Sequence, residues 1–124
     1  MKTGIIVFGH GSSVPSANEA VARVAAESAA AGGFPLCETA FLEAAPSLRD
    51  ATGRLVAQGA EEILVIPYFL TLGIHLQRDL PRIMEQLRQE FGGMPMRVTL
   101  PLDGHPALSS IVVDRAREAM SVTV

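Results

Sequence analysis

The sequence is poor in cysteine: its 124 residues include only one, Cys37. One cysteine cannot form an internal disulfide, which suits the reducing compartments where disulfides are rare. Cys37 lies in an apolar stretch with the pattern of a strand, where a free cysteine behaves as a small hydrophobic side chain. We therefore expect a cytoplasmic protein in which Cys37 is a packing residue and not a nucleophile.

Long hydrophobic runs are also missing. The longest apolar stretch, residues 63–74, contains Pro67 and is far shorter than the roughly 20 residues that a membrane-spanning helix needs. The apolar run near the N-terminus, residues 4–8, is too short for the core of a signal peptide. These features predict no membrane partner and again a cytoplasmic location.

Charge is sparse, since only 19% of the residues are charged and the net charge is −3. An acidic balance argues against nucleic acid or an anionic membrane surface as the partner. The hydrophobic share of 48% is enough for one buried core, so we expect a single domain over residues 1–124. The low charged share also suggests that part of the surface is buried against a second copy of the chain, as in a homodimer.

The glycine-rich signatures of nucleotide binding are absent as well. The chain contains neither Gly-x-Gly-x-x-Gly nor Gly-x-x-x-x-Gly-Lys-Ser/Thr. Those patterns place backbone N–H groups around phosphates, so their absence argues against a nucleotide-binding protein.

What the sequence does contain is a regular alternation of buried strands and amphipathic helices. Strands are predicted at residues 5–8, 36–42, 62–67 and 96–100. Helices are predicted at residues 13–31, 48–58, about 80–91 and from 106 onward, with a long connection at 68–79. This alternation predicts an α/β fold: a three-layer, flavodoxin-like domain in which helices cover both faces of a four-stranded, mostly parallel sheet.

All three histidines of the chain follow predicted strands. Ligands of an open parallel sheet bind beyond the carboxyl ends of its strands, so this edge is the candidate site. His10 lies between two glycines, which permit a sharp turn and close approach, although its ring could simply hydrogen-bond a neighbouring carbonyl. His75 ends an apolar segment, which indicates either a hydrophobic ligand or a covering second subunit. His105 precedes Pro106 in a turn and is a weaker candidate.

A carboxylate and several hydroxyls are predicted at the same edge. Glu43 ends the second strand, where it could ligate a metal, accept a proton, orient an imidazole or be a solvated charge. Two imidazoles and one carboxylate suit a divalent ion such as Co²⁺, Fe²⁺ or Ni²⁺, whereas a closed structural site would favour several cysteines. The hydroxyl groups and the helix N-termini there would suit an anionic ligand.

The motifs at this edge occur in a specific order. They are Gly9-His10-Gly11-Ser12, then Phe41-Leu42-Glu43 with Pro46-Ser47, then Pro67-x-Phe69-Leu70-x-x-Gly73-x-His75 with Asp79-Leu80-Pro81, and finally Gly104-His105-Pro106. Together they cover nearly the whole chain, and the ordered set resembles the small CbiX-type sirohydrochlorin chelatases, a group of class II chelatases.

The resemblance implies an ATP-independent enzyme that inserts a divalent metal into sirohydrochlorin, on the way to cobalamin or sirohaem. The metal, Co²⁺ foremost and Fe²⁺ or Ni²⁺ as alternatives, would be a substrate, with no permanently bound cofactor. A chain of this length would pair as a homodimer. The resemblance assigns metal binding and proton acceptance to His10 and His75, with Glu43 assisting. Substrate contacts are expected from Ser12 and from Leu70, Thr71, Leu72, Gly73, Ile74 and His75.

Three other functions fit parts of the pattern. A histidine-based phosphotransfer protein would use His10 as a nucleophile, but it would need arginines nearby, and none lies near His10 in the sequence. A non-catalytic tetrapyrrole or metal carrier would use the same pocket, and only multiple turnover would distinguish it from a chelatase. A flavodoxin-like binding module would be revealed by flavin absorbance.

Overall fold

A computed structural model describes residues 1–121 of the chain. Strands and helices alternate in the order β1 (Thr3–Gly9), α1 (Pro15–Gly32), β2 (Cys37–Phe41), α2 (Leu48–Ala57), β3 (Glu62–Pro67), α3 (Ile74–Glu90), β4 (Met96–Val98) and α4 (Ala107–Ser121). The strands form one sheet in the order β2-β1-β3-β4, with every pairing parallel. The predicted α/β class and four-stranded parallel sheet are confirmed.

Helices lie on both faces of the sheet, as predicted. On one face, α2 and α3 contribute to the main hydrophobic core, whose members include Ile6, Phe8, Leu55, Ile63, Val65, Leu80, Met84 and Leu87. Each such side chain stabilises the fold by about 1.5–3 kcal/mol when it is fully buried. On the other face, α1 covers β1 and β2, with Ala25 buried and its carbonyl oxygen 3.8 Å from the Cys37 sulfur.

Local sequence signals account for the ends of the first two helices. Pro15 begins α1, where its missing N–H costs nothing, and Gly33 ends it in the left-handed conformation at φ 69°. Ser47 caps α2 through a capping box: its hydroxyl oxygen accepts from the Asp50 N–H, and the Asp50 carboxylate accepts from the Ser47 N–H. These two helices therefore agree closely with their predicted ranges.

The predicted start of the third helix is wrong. Helix α3 begins at Ile74, not near Leu80, so the connection after β3 covers only residues 68–73. The prediction followed apolar residues at helical spacing, which begin at Leu80, whereas the turn before Leu80 is mostly exposed. Pro81 lies inside α3, a position that costs a helix about 3 kcal/mol. The consequence for the site is that His75 lies in the first turn of a helix and not in a loop.

Two strands are shorter than predicted. Strand β2 covers Cys37–Phe41 instead of residues 36–42, and β4 covers Met96–Val98 instead of residues 96–100. Strand β4 is at the edge of the sheet and pairs with β3 only from Ile63 to Val65, so no partner extends it further. Within residues 1–121, no helix is long and apolar enough to cross a membrane.

Candidate metal centre

His10 and Glu43 lie together at the carboxyl edge of the sheet. The backbone brings the two loops into contact, because the Glu43 N–H donates to the His10 carbonyl at 2.8 Å and the Leu42 N–H donates to the Gly9 carbonyl at 3.0 Å. The His10 Nε2 atom is 3.6 Å from Glu43 Oε2, and both side chains are more than half exposed. The structure therefore brings the Glu43 carboxylate close to the His10 imidazole, and the role of the pair stays a prediction.

Gly11 allows the two loops to approach this closely. Its φ is +92°, a conformation that side-chain-bearing residues rarely adopt. A Cβ atom at this position would lie 3.0 Å from the Ala44 backbone nitrogen and 3.1 Å from the Phe41 Cβ. The loop after β1 can thus pack against the loop after β2 only if residue 11 is glycine.

The hydrogen bonds of His10 show which ring nitrogen is free to bind a metal ion or accept a proton. Its Nδ1 is 3.1 Å from the Gly11 carbonyl oxygen, and because a carbonyl only accepts, Nδ1 carries a proton. In the neutral ring, Nε2 then has a free lone pair and faces the Glu43 carboxylate. The lone pair of His10 Nε2 and the Glu43 carboxylate oxygen are 3.6 Å apart and repel each other, so a proton or a cation between them is stabilising. An ion about 2.1 Å from both atoms would have a ligand angle of about 120°, which is acceptable metal geometry.

Phe69 supports the His10 ring and was not among the predicted site residues. Its ring contacts His10 edge-on, with centroids 6.4 Å apart, and contacts Phe8 in the same way at 5.9 Å. Its carbonyl oxygen accepts from the Leu102 N–H at 3.0 Å, which ties the loop after β3 to the segment after β4. The feature of the sequence that could have identified Phe69 as a site residue is its position two residues after a buried strand.

His75 is at the same edge, but its ring is engaged differently. The Arg78 Nη2 atom is 3.1 Å from His75 Nδ1, and since a guanidinium only donates, Nδ1 is the acceptor. The lone pair of the neutral ring is thus occupied by Arg78, and the proton is on Nε2. Both side chains are exposed, so the contact contributes little stability and can open easily. A metal-binding or proton-accepting role for His75 stays a prediction.

Exposed apolar side chains lie at the carboxyl edge of three strands. We call this set the apolar platform; its members are Leu42, Leu70, Ile74 and Leu100, which are 42%, 66%, 80% and 85% exposed. Leu70 and Ile74 were predicted, whereas Leu42 and Leu100 were not, because the sequence placed them inside longer strands. Such a group of exposed apolar side chains is typical of a surface that binds an apolar ligand or partner.

The remaining predicted residues have varied surroundings. Thr71 and Gly73 are exposed, whereas Leu72 is half-buried and packs against the hydrophobic core; substrate contacts of these residues stay a prediction. Ser12 is half-buried, and its hydroxyl oxygen accepts from the Val14 N–H at 3.0 Å. His105 caps α4, since its Nδ1 accepts from the Ala107 N–H at 3.0 Å.

Cys37 is half-buried in β2. Burial raises the pKa of its thiol, and the neighbouring Glu38 carboxylate raises it further. A thiol that is mostly protonated near neutral pH is a poor nucleophile, which agrees with a packing role. Among residues 1–121, no group of three or more histidine, cysteine, aspartate or glutamate side chains could hold a metal ion.

Proteins of known family are similar to this chain in sequence. The CbiX family model matches residues 4–119. A chloroplastic sirohydrochlorin ferrochelatase of Arabidopsis thaliana is 34% identical over 95% of this chain, and the match covers 53% of that relative. A sirohydrochlorin cobaltochelatase of Methanococcoides burtonii is 29% identical over 96% of this chain and 98% of the relative.

A solved structure agrees with the sequence matches. The sirohydrochlorin chelatase SirB from Bacillus subtilis subspecies spizizenii, determined in complex with cobalt, has a TM-score of 0.86 and 26% identity to this chain. The match covers 95% of this chain and 51% of that one. This chain thus spans about half the length of SirB and of the plant relative, and nearly all of the archaeal one. The resemblance seen in the ordered motifs is confirmed, and the chain belongs to the CbiX family.

Proposed function

We propose that this protein is a sirohydrochlorin chelatase, which inserts a divalent metal ion into sirohydrochlorin without ATP. Its relatives are named for this activity with cobalt or with iron, which supports Co²⁺ first and Fe²⁺ next, with Ni²⁺ as a further alternative. The observation that carries the proposal is the facing pair of His10 Nε2 and Glu43 Oε2 at the sheet edge that bears the apolar platform.

The exposed pair would perform two tasks in sequence. Metal insertion removes two protons from the ring nitrogens and transfers the ion to those nitrogens. His10 and Glu43 would first hold the ion and leave its other coordination positions open to the ring. When the ring nitrogens displace them, the vacated imidazole nitrogen and carboxylate oxygen become free to accept the released protons. The net charge of the pair, counted with the bound ion before insertion and with the accepted protons after it, therefore changes little during the reaction.

The apolar platform would bind the macrocycle. A tetrapyrrole has a large apolar face and charged carboxylate arms at its periphery. The face would cover Leu42, Leu70, Ile74 and Leu100, removing these exposed side chains from water. The carboxylates would remain at the rim, within reach of the Ser12 hydroxyl and of the helix N-termini.

Arg78 would connect substrate binding with the availability of His75. The guanidinium engages His75 Nδ1 in the free protein, but a substrate carboxylate is a stronger partner for it than a neutral imidazole. Substrate binding would therefore draw Arg78 away and release the His75 lone pair. His75 would then be able to accept a proton or bind the ion.

We also propose that the functional unit is a homodimer of single domains, each spanning residues 1–124, in the cytoplasm. The support for pairing is that two relatives are about twice as long as this chain, which covers 53% and 51% of them. The support for the cytoplasm is the lone cysteine.

The activity is tested with purified protein, sirohydrochlorin and Co²⁺, by following the change in the absorption spectrum of the ring. We expect the wild-type protein to turn over many equivalents, whereas a carrier would stop after one. His10→Ala should lower the rate by roughly 100-fold or more, the scale of lost acid–base assistance. Glu27→Gln, which changes an exposed carboxylate on α1, is the control and should leave the rate unchanged. Wild-type rates in His10→Ala would contradict the proposal.

A further inference from the structure

A small pocket lies between α2 and α3, next to the metal centre. Its volume is about 240 Å³, and residues at both ends of the loop after β2 line it. The metal insertion described above leaves this pocket unused. We call it the α2–α3 pocket; most of its wall is apolar and is formed by Phe8, Phe41, Leu42, Leu48, Ile83 and Leu87.

Three polar side chains complete the wall, and all three can donate hydrogen bonds. They are Ser47, Arg49 and Gln86. The Ser47 hydroxyl oxygen accepts from the Asp50 N–H at 3.1 Å, which leaves the O–H group itself to donate to another partner. In the part of the chain that the structure describes, no aspartate or glutamate lines the pocket. An apolar wall with donors and one positive charge suits an anion that carries an apolar stem.

Arg49 is the positive charge, and helix stability does not account for its position. It is the second residue of α2, where the helix dipole favours an acidic side chain. Its Nε donates to Glu90 Oε2 at 2.9 Å, but the two side chains are 67% and 42% exposed, and such an ion pair contributes little stability. Because a guanidinium has five donors, Arg49 can bind a second anion through its Nη groups without losing Glu90.

The pocket and the metal centre are neighbours along two strands. Phe8 and Phe41, which line the pocket, precede His10 and Glu43 by two residues each, a distance of about 7 Å along a strand. Leu42 belongs both to the pocket and to the apolar platform. A ring that lies on the platform with its centre at the metal pair therefore has its periphery next to the pocket.

We propose that the α2–α3 pocket binds one carboxylate arm of the tetrapyrrole, with the alkyl stem against the apolar wall and the carboxylate on Arg49, Ser47 and Gln86. The inference rests on the proposed function and adds a subsite that recognises the substrate. Pockets that hold a whole small molecule are about 300–1,000 Å³, so this one, at about 240 Å³, has room for an arm but not for the ring. The bound arm anchors the ring over the metal pair.

The first test is the affinity for metal-free sirohydrochlorin, measured by titrating the full chain and following the absorption spectrum of the ring. Arg49→Gln should raise the dissociation constant about 10-fold, because a charge-assisted hydrogen bond is lost. Arg54→Gln is the matched control: Arg54 is also exposed on α2, and its nearest carboxylate, that of Glu38, is 4.0 Å away. It does not line the pocket, so this variant should bind as the wild type does. Wild-type affinity in Arg49→Gln would overturn the proposal.

The second test separates recognition of the arm from a structural role of the ion pair. Glu90→Gln breaks the same pair but keeps the guanidinium, so it should retain wild-type affinity. Added salt should weaken binding by the wild type more than binding by Arg49→Gln, because only the wild type has the screened charge. Equal losses of affinity in Arg49→Gln and Glu90→Gln would mean that Arg49 acts only through the ion pair, and the proposal would be wrong.

The third test fills the pocket without changing any charge. Gln86→Trp places a bulky ring at the pocket and should raise the dissociation constant for sirohydrochlorin, whereas Gln89→Trp, at an exposed position on α3 outside the pocket, should not. Equal affinities of the two variants would contradict the subsite. Binding is measured without metal, so a protein that binds the ring through Arg49 but does not insert metal would contradict only the chelatase function. Metal insertion with wild-type KM in both Arg49→Gln and Gln86→Trp would contradict only the subsite.

Discussion

Gly11→Ala is expected to separate His10 from Glu43, and the structure gives the size of the effect. A Cβ atom would meet the Ala44 nitrogen at 3.0 Å, and backbone cannot move aside as a flexible side chain can. The positive φ of +92° costs an alanine about 1–2 kcal/mol, and overpacking adds about 1–3 kcal/mol. We therefore expect the free energy of unfolding to fall by about 2–5 kcal/mol, with the loop after β1 displaced from the loop after β2.

Gly33→Ala is the matched control for this substitution. Gly33 also has a positive φ, +69°, but nothing lies within 4 Å of a Cβ built there. It should lose only the conformational term, about 1 kcal/mol, and keep full chelatase activity. Denaturant unfolding and the rate of metal insertion would be measured on both variants. If Gly11→Ala were as stable and as active as Gly33→Ala, the close approach of the two loops would not hold the metal centre together.

Three further predictions concern the substrate surface and the cysteine. Ile74→Asn should raise KM for the tetrapyrrole about 10-fold without changing stability, because Ile74 is 80% exposed in the free protein; steady-state kinetics and thermal unfolding check this. Arg78→Gln should raise KM as well, and a substrate analogue lacking carboxylates should abolish the difference between wild type and variant. Cys37 should be alkylated more slowly than free cysteine at pH 8, since burial raises the pKa of its thiol. The same shift implies that stability falls as the pH rises above the ordinary cysteine pKa, because the unfolded chain then ionises first.

The sheet and the edge that carries the site could be predicted from the sequence because both depend on local patterns. Four runs rich in apolar residues predict the strands, and the carboxyl ends of parallel strands share one edge, so His10 and Glu43 were expected at the same edge. The start of α3 could not be predicted in this way. The first turn of α3, from Ile74, is mostly exposed and therefore lacks the apolar periodicity by which the rest of the helix was predicted.

Other features depend on three-dimensional contacts that no local pattern contains. Leu42 and Leu100 have strand-like sequence contexts, and their exposure follows from where pairing with the neighbouring strand ends. The contact between Arg78 and His75 arises because both lie on the first turns of α3, which the sequence placed in a loop. The periodicity of α4 predicts an apolar face but not that its own sheet leaves this face uncovered.

A double-mutant cycle on metal insertion tests the central claim most directly. The rate constant at saturating sirohydrochlorin and Co²⁺ would be measured for the wild-type protein, His10→Ala, Glu43→Gln and the double variant. Because the two groups are proposed to hold one ion and to accept its displaced protons together, the double variant should be about as slow as the slower single variant. Fully additive losses, or a wild-type rate in Glu43→Gln, would contradict the paired role of His10 and Glu43.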